Sequence, residues 1–191
     1  MKINLPTKIT IARIVLIPIF IILWYSDFLG TFEFGSIKSF CVTIFFAFLC
    51  ITDWIDGYLA RKNKQVTDLG KFLDPIADKI LVFSVYFLLL NEQIIDPISL
   101  IIMMSREFIV ATIRMNAAQD NFVIAAEMGG KIKTVAQMIS LILLLLCIQD
   151  INNLAKVIVF GIYWLSVILT TTSGIHYVKA YIEFLKAKNE V

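Results

Sequence analysis

Asp53-Trp54-Ile55-Asp56-Gly57-Tyr58-Leu59-Ala60-Arg61, eight further residues, then Gly70-Lys71-Phe72-Leu73-Asp74-Pro75-Ile76-Ala77-Asp78: this stretch sets four aspartates at the ends of two long apolar segments. Carboxylates are costly beside membrane-type sequence, so they ask for a chemical reason. A helix turns about 100° per residue, which leaves Asp53 and Gly57 about 40° apart, Asp53 and Ala60 nearly eclipsed, and Asp56 at the edge of the same face. Gly70, Asp74 and Asp78 form a second i, i+4 stripe. A turn of roughly ten residues between the two helices makes them antiparallel neighbours, so the acidic stripes can face each other.

Four carboxylates so placed cannot all stay ionised alone. At about 6 Å and an effective dielectric near 20, each pair repels by about 3 kcal/mol. Protons or cations must relieve this. Oxygen-only donors favour hard cations such as Mg²⁺, Mn²⁺ or Ca²⁺. Two divalent ions would balance four negative charges, and two-metal sites recur in enzymes that displace groups at phosphorus. Gly57, Ala60 and Gly70 fit two readings: small helix-packing contacts, or clearance for a base or phosphate to approach the backbone. Arg61 stands where a guanidinium can fork onto phosphate oxygens.

The rest of the chain sets the stage. It has 191 residues, 59% of them hydrophobic and 17% charged, with 15 phenylalanines. Soluble domains are typically about 45–50% apolar, so an integral membrane protein of one domain, residues 1–191, is expected. Cys41, Cys50 and Cys147 all lie in apolar runs and make no disulfide framework. His176 is the only histidine, which argues against histidine-based zinc chemistry and a Ser-His triad. Gly129-Gly130-Lys131 is followed by Ile132 rather than Ser or Thr, so it is no Walker loop. No nucleic-acid partner is expected.

An all-α, polytopic bundle of six transmembrane helices follows from the apolar runs Ile9–Ser26, Ser39–Ala60, Pro75–Leu90, Pro97–Asn116, Lys133–Ile148 and Leu154–Ile182. A short interfacial helix over Met1–Lys8 would precede the first. The N-terminal run lacks a small-x-small cleavage site and is read as a retained helix. Trp24, Tyr25, Phe32 and Phe34 read as an outer aromatic belt. Of the 17 Lys and Arg residues, all but Lys38 and Lys156 fall on one side of this layout. The positive-inside rule then puts both termini and the aspartates in the cytoplasm, on a multi-pass protein of the cell membrane.

The pattern D-x-x-D-G-x-x-A-R-x8-G-x-x-x-D-x-x-x-D resembles the signature of the CDP-alcohol phosphatidyltransferase family at all its fixed positions. The resemblance implies a helical bundle with a cytosol-facing pocket, two divalent cations (Mg²⁺ or Mn²⁺) and a homodimer. It implies that Asp53, Asp56, Asp74 and Asp78 bind the metals, and that Asp78 also deprotonates the acceptor hydroxyl. Gly57, Ala60, Arg61 and Gly70 would form the CDP subsite.

The opening Asn4-Leu5-Pro6-Thr7-Lys8-Ile9-Thr10-Ile11-Ala12-Arg13, with Ser105-Arg106-Glu107, Arg114 and Gly130-Lys131-Ile132-Lys133, is similar to the branch that transfers the phosphatidyl group of CDP-diacylglycerol to sn-glycerol 3-phosphate, releasing CMP. Arg114 and Lys133, with Arg106 and Lys131, are the candidates for the acceptor phosphate. Lys131 and Lys133 lie about 200° apart, so one of them, taken as Lys133, faces the site. Arg106 lies deeper than Arg114 and reads better as half of a structural pair. Glu107 is expected to orient Arg114, seven residues on, rather than to neutralise its neighbour Arg106. Membrane lipid completes the partners. With no Ser, His or Cys nucleophile well placed, direct attack of the acceptor hydroxyl on phosphorus is expected. The alternatives are another acceptor alcohol on the same chemistry (a phosphatidylglycerol, serine or an inositol phosphate) and, in a different class, a divalent-cation transporter. Against the transporter, the acids cluster at one end rather than mid-membrane.

Overall fold

A computed structural model describes residues 4–26, 28, 30, 36–62, 68–119, 128–146 and 153–189. Within these stretches the side chains of residues 5, 6, 53, 54, 56–62, 68–72, 74, 118, 119, 128–132 and 189 lie outside the description. Among the described residues the chain forms six helices and no strand: α1 Leu5–Tyr25, α2 Ile37–Lys62, α3 Asp68–Asn91, α4 Pro97–Gln119, α5 Met128–Leu146 and α6 Asn153–Asn189. Two of them, α1 from Thr7 and α6 to Lys188, are long and apolar enough to cross a membrane. At 37 residues, α6 is about 55 Å long, well beyond a hydrocarbon core of about 30 Å.

Leu5–Lys8 are the first turn of α1, not a separate interfacial element; residues 1–3 lie outside the described ones. Pro6 explains the start. Its missing N–H falls where the helix has no acceptor for it, and its fixed φ suits the first turn. Pro18 inside α1 and Pro75 inside α3 leave the carbonyls of Ile14 and Lys71 without their usual i+4 donors.

The chain folds as two compact units. The first comprises Met1–Glu92 and Ile142–Asn152, the second Gln93–Leu141 and Asn153–Val191. In the first, α1 packs on both α2 and α3. Its buried stripe is Thr7, Thr10, Arg13, Ile17, Phe20 and Trp24, at steps of three and four. Phe20 stacks on Phe45 and tilts against Phe46 of α2. Trp24 closes this stripe in the core and so leaves the expected aromatic belt; Tyr25 is exposed, and Phe32 and Phe34 lie outside the described residues. The Ser39 hydroxyl donates to the Leu145 carbonyl at 2.6 Å, joining the start of α2 to the end of α5.

In the second unit, α4 packs on α6. Both bury heptad-spaced residues: Ser99, Met103, Arg106, Val110, Ile113 and Ala117 on α4, and Val159, Tyr163, Val167, Thr170, Gly174 and Tyr177 on α6. Contacts pair residue 99 with 163, 106 with 170 and 173, and 114 with 177. The sequence offset stays near-constant along the contact, so the two helices are parallel. The intervening α5 meets α4 through Lys133 and Glu107.

Outward faces are apolar instead of polar. Phe40, Ile44, Phe48 and Ile51 form an exposed stripe on α2, and Val157, Trp164, Ile168 and Ile175 another on α6. Water would penalise surfaces of this kind, and soluble monomers rarely carry them.

At the start of α4 the Asp96 carboxylate caps the helix, accepting from the Ser99 amide at 2.8 Å, with Pro97 as first helical residue. Burial pushes the Asp96 carboxyl up, but hydrogen bonds from Ser99 and neighbouring amides outweigh it and hold the carboxyl below the usual aspartate range. A depressed folded pKa stabilises the fold above the unfolded value, and that contribution is lost as pH falls through the folded one. Asp96→Ala is therefore expected to cost about 1 kcal/mol at neutral pH. Thermal unfolding in detergent should show the loss at pH 7 and a shrinking difference below about pH 3.9.

Candidate functional site

The acidic motif lies in the first unit, and its named residues fall on α2 and α3. α2 continues to Lys62 and α3 starts at Asp68, so five positions, 63–67, separate them, fewer than the turn of about ten expected from sequence. Gly70, Asp74 and Asp78 are therefore all helical. The buried stripe of α2 runs Ser39, Val42, Phe46, Leu49. Counted on in the same register, it reaches positions 53, 56 and 60. On α3, Ala77, Leu81, Val85 and Leu88 are buried, and Asp78 is half-buried at the edge of that face. The side chains of Asp53, Asp56, Asp74 and Arg61, and the positions of Gly57, Ala60 and Gly70, lie outside the described side chains, as does Lys131.

Arg13, read from the sequence as an inside charge that closes the opening motif, is a further site candidate. It is 1% exposed on α1, the helix that packs on both acid-bearing helices. The signal was present: Thr7, Thr10 and Arg13 precede Ile17, Phe20 and Trp24 on one stripe.

The second unit gathers the cations. Arg106 lies in the α4–α6 seam, 9% exposed. Its Nε donates to the Thr170 carbonyl at 3.1 Å, Nη2 to the Ser173 hydroxyl at 2.7 Å and Nη1 to Glu107 Oε1 at 2.8 Å. Lys133 Nζ, buried on α5, pairs with the same Glu107 oxygen. Arg114 is exposed; its Nη2 donates to the Tyr177 hydroxyl at 2.6 Å, with the guanidinium carbon 4.9 Å from the ring centroid.

This corrects one expectation. Glu107 pairs with Arg106 and Lys133, while Tyr177 holds Arg114. Residues seven apart on a helix are about 10.5 Å apart along its axis, too far for Glu107 to hold Arg114. The long Arg106 stem can instead sweep around the helix to its neighbour. Thr170, Ser173, Gly174 and Tyr177 were missed in the sequence. Their signal was the run Thr170-Thr171-Thr172-Ser173-Gly174 inside an apolar helix, small and hydroxyl residues where helices approach closely.

Among the described residues Cys41 and Cys50 form no disulfide; Cys147 lies outside them.

Comparison with known proteins adds independent findings. A sequence model of the CDP-alcohol phosphatidyltransferase family matches residues 3–172. The chain is 40% identical to a Bacillus subtilis protein named CDP-diacylglycerol–glycerol-3-phosphate 3-phosphatidyltransferase, over 97% of this chain and 99% of that protein. Proteins of the same name from Haemophilus influenzae and Rickettsia typhi are 38% and 36% identical, over 94% and 93% of this chain and 94% and 96% of theirs. A match running through both units, with relatives alike from end to end, shows that this chain belongs to the CDP-alcohol phosphatidyltransferase family.

Proposed function

We propose that this protein transfers the phosphatidyl group of CDP-diacylglycerol to sn-glycerol 3-phosphate, releasing CMP and forming phosphatidylglycerophosphate. The observation that carries this reading is the aspartate signature, on two consecutive helices, in a chain whose relatives of nearly equal length bear that activity's name. The substrates named for those relatives, one a lipid and one a soluble phosphate, suit a protein with apolar outer faces that also carries Arg106, Arg114 and Lys133 on α4 and α5. The whole chain, 1–191, acts as one catalytic domain in this reading. It crosses the cell membrane six times as a homodimer, with both termini and the site on the cytoplasmic side. The two membrane-length helices, the exposed apolar stripes and the parallel α4–α6 pair support it.

Divalent-cation dependence is general in the family. The donor set fits: oxygen ligands at i, i+3 and i, i+4 spacing, continuing a buried register on α2 and flanking a half-buried Asp78 on α3. Asp53, Asp56, Asp74 and Asp78 would hold two ions, Mg²⁺ or Mn²⁺. When bound, such ions neutralise pyrophosphate charge and stabilise the departing CMP.

The chain's own groups do the rest. Gly57, Ala60 and Gly70 leave room for the cytidine diphosphate, and Arg61 binds its phosphates. Asp78 takes the proton from the 1-hydroxyl of glycerol 3-phosphate. That oxygen then attacks the phosphatidyl phosphorus directly as the bond to CMP breaks. Arg114 and Lys133 bind the acceptor's phosphate, with Lys131 at the start of α5; Arg106 keeps Glu107 and α6 in place behind them.

The test is CMP release by purified protein with CDP-diacylglycerol, Mn²⁺ or Mg²⁺, and a panel of alcohols: glycerol 3-phosphate, glycerol, serine, phosphatidylglycerol and inositol phosphate. Release that depends on glycerol 3-phosphate supports the reading. Release driven better by another alcohol moves the acceptor, and none with any alcohol removes the enzyme.

A further inference from the structure

Two arginines of α4 are held by one turn of α6, and that turn lies past the end of the family match at residue 172. Ser173 accepts from Arg106, and Tyr177 accepts from Arg114. Between them Gly174 makes room: a Cβ there would come within 2.5 Å of Arg106 Cγ. The bare backbone at 174 lets the Arg106 stem lie against α6. It thereby fixes the approach of the two helices where Tyr177, less than one turn on, meets Arg114.

The Tyr177–Arg114 pair is unequal. Tyr177 is buried, 4% exposed, while Arg114 reaches outward. A buried tyrosine has little freedom, so its hydroxyl is a fixed point; an exposed arginine by itself has many rotamers. Among the described residues, one donor of Arg114 is engaged by that hydroxyl. A guanidinium has five donors in a rigid fork, so an edge remains for two oxygens of a phosphate. Anchoring at one edge aims the other.

We propose that Tyr177 is a positioning residue that gives this protein its preference for a phosphorylated acceptor, by holding the Arg114 guanidinium ready for the phosphate. The inference rests on Arg114 as a ligand of the acceptor's phosphate.

The experiment measures steady-state kinetics of Tyr177→Phe, which keeps the ring and removes the acceptor oxygen. The apparent KM for glycerol 3-phosphate should rise about tenfold, the loss of one charge-assisted hydrogen bond, with kcat within about twofold and KM for CDP-diacylglycerol unchanged. In an Arg114→Ala background the same change should add nothing, since Tyr177 acts through Arg114. Gly174→Ala, which favours helix and should not unfold α6, should raise the same KM. An unchanged KM for glycerol 3-phosphate in Tyr177→Phe would overturn the proposal. So would equal losses for both substrates, or a full further loss in the Arg114→Ala background. Wild-type protein that releases CMP without responding to glycerol 3-phosphate would overturn the underlying reading as well, so the two failures are distinct.

Discussion

Asp74→Asn and Asp78→Asn are each expected to lower turnover by at least about 10³-fold, with little change in folding. Asparagine keeps the volume and one oxygen but loses the charge. In the proposed site, that would remove a ligand's charge at position 74; at position 78 it would also remove the proton acceptor for the attacking hydroxyl. The two losses differ in pH behaviour. A missing base flattens the rising limb of the pH–rate profile, whereas a missing ligand raises the metal concentration needed for activity. Asp53→Asn should follow the ligand pattern. Rate measurements over pH and Mn²⁺ concentration would separate them. Activity within tenfold of wild type for Asp74→Asn would contradict the assignment.

Glu107→Gln is the second large effect, and it falls on stability. Glu107 Oε1 serves both Arg106 and Lys133, and all three side chains are at most 12% exposed. Removing the carboxylate's charge leaves two buried cations facing a neutral amide. Breaking a buried ion pair by removing one partner typically costs about 3–5 kcal/mol. For a domain of this length a loss near 3 kcal/mol lowers the thermal midpoint by roughly 6–12 °C. Combining Glu107→Gln with Lys133→Met should recover part of it, because one stranded charge is gone. A midpoint within about 1 °C of wild type for the single variant would show that the pairing contributes nothing.

The helical class was legible because apolar runs of membrane length allow few other structures. The boundaries were less so. α2 and α3 both extend into the polar residues of the motif, because Arg61, Lys62 and Lys71 are good helix formers even where they are not apolar. Hydropathy ended those spans where the apolar sequence thinned. The separate interfacial helix gave way to a continuous α1 from Leu5, because Pro6 in a first turn begins a helix.

The acidic motif stood out in the sequence because carboxylates beside apolar sequence have few uses, and its chemistry is the proposal made above. The cationic side was half legible. Arg106, Arg114 and Lys133 stand out by type, but apart from Glu107 beside Arg106 their partners lie on another helix, 26 to 67 residues away, and nothing local announces them. Glu107 shows why: helical-wheel logic assigns it by face, while long side chains in a seam reach across faces. Arg13 was misread because positive-inside counting treats every cation as a solvated anchor, although this one is buried on α1.

The most direct test of the central claim is a Mn²⁺ titration of the purified protein followed by electron paramagnetic resonance. The account predicts two ions per chain that couple magnetically, and loss of the coupled signal in Asp74→Asn. Wild-type protein that binds no Mn²⁺, or binds it equally well after that substitution, would contradict it.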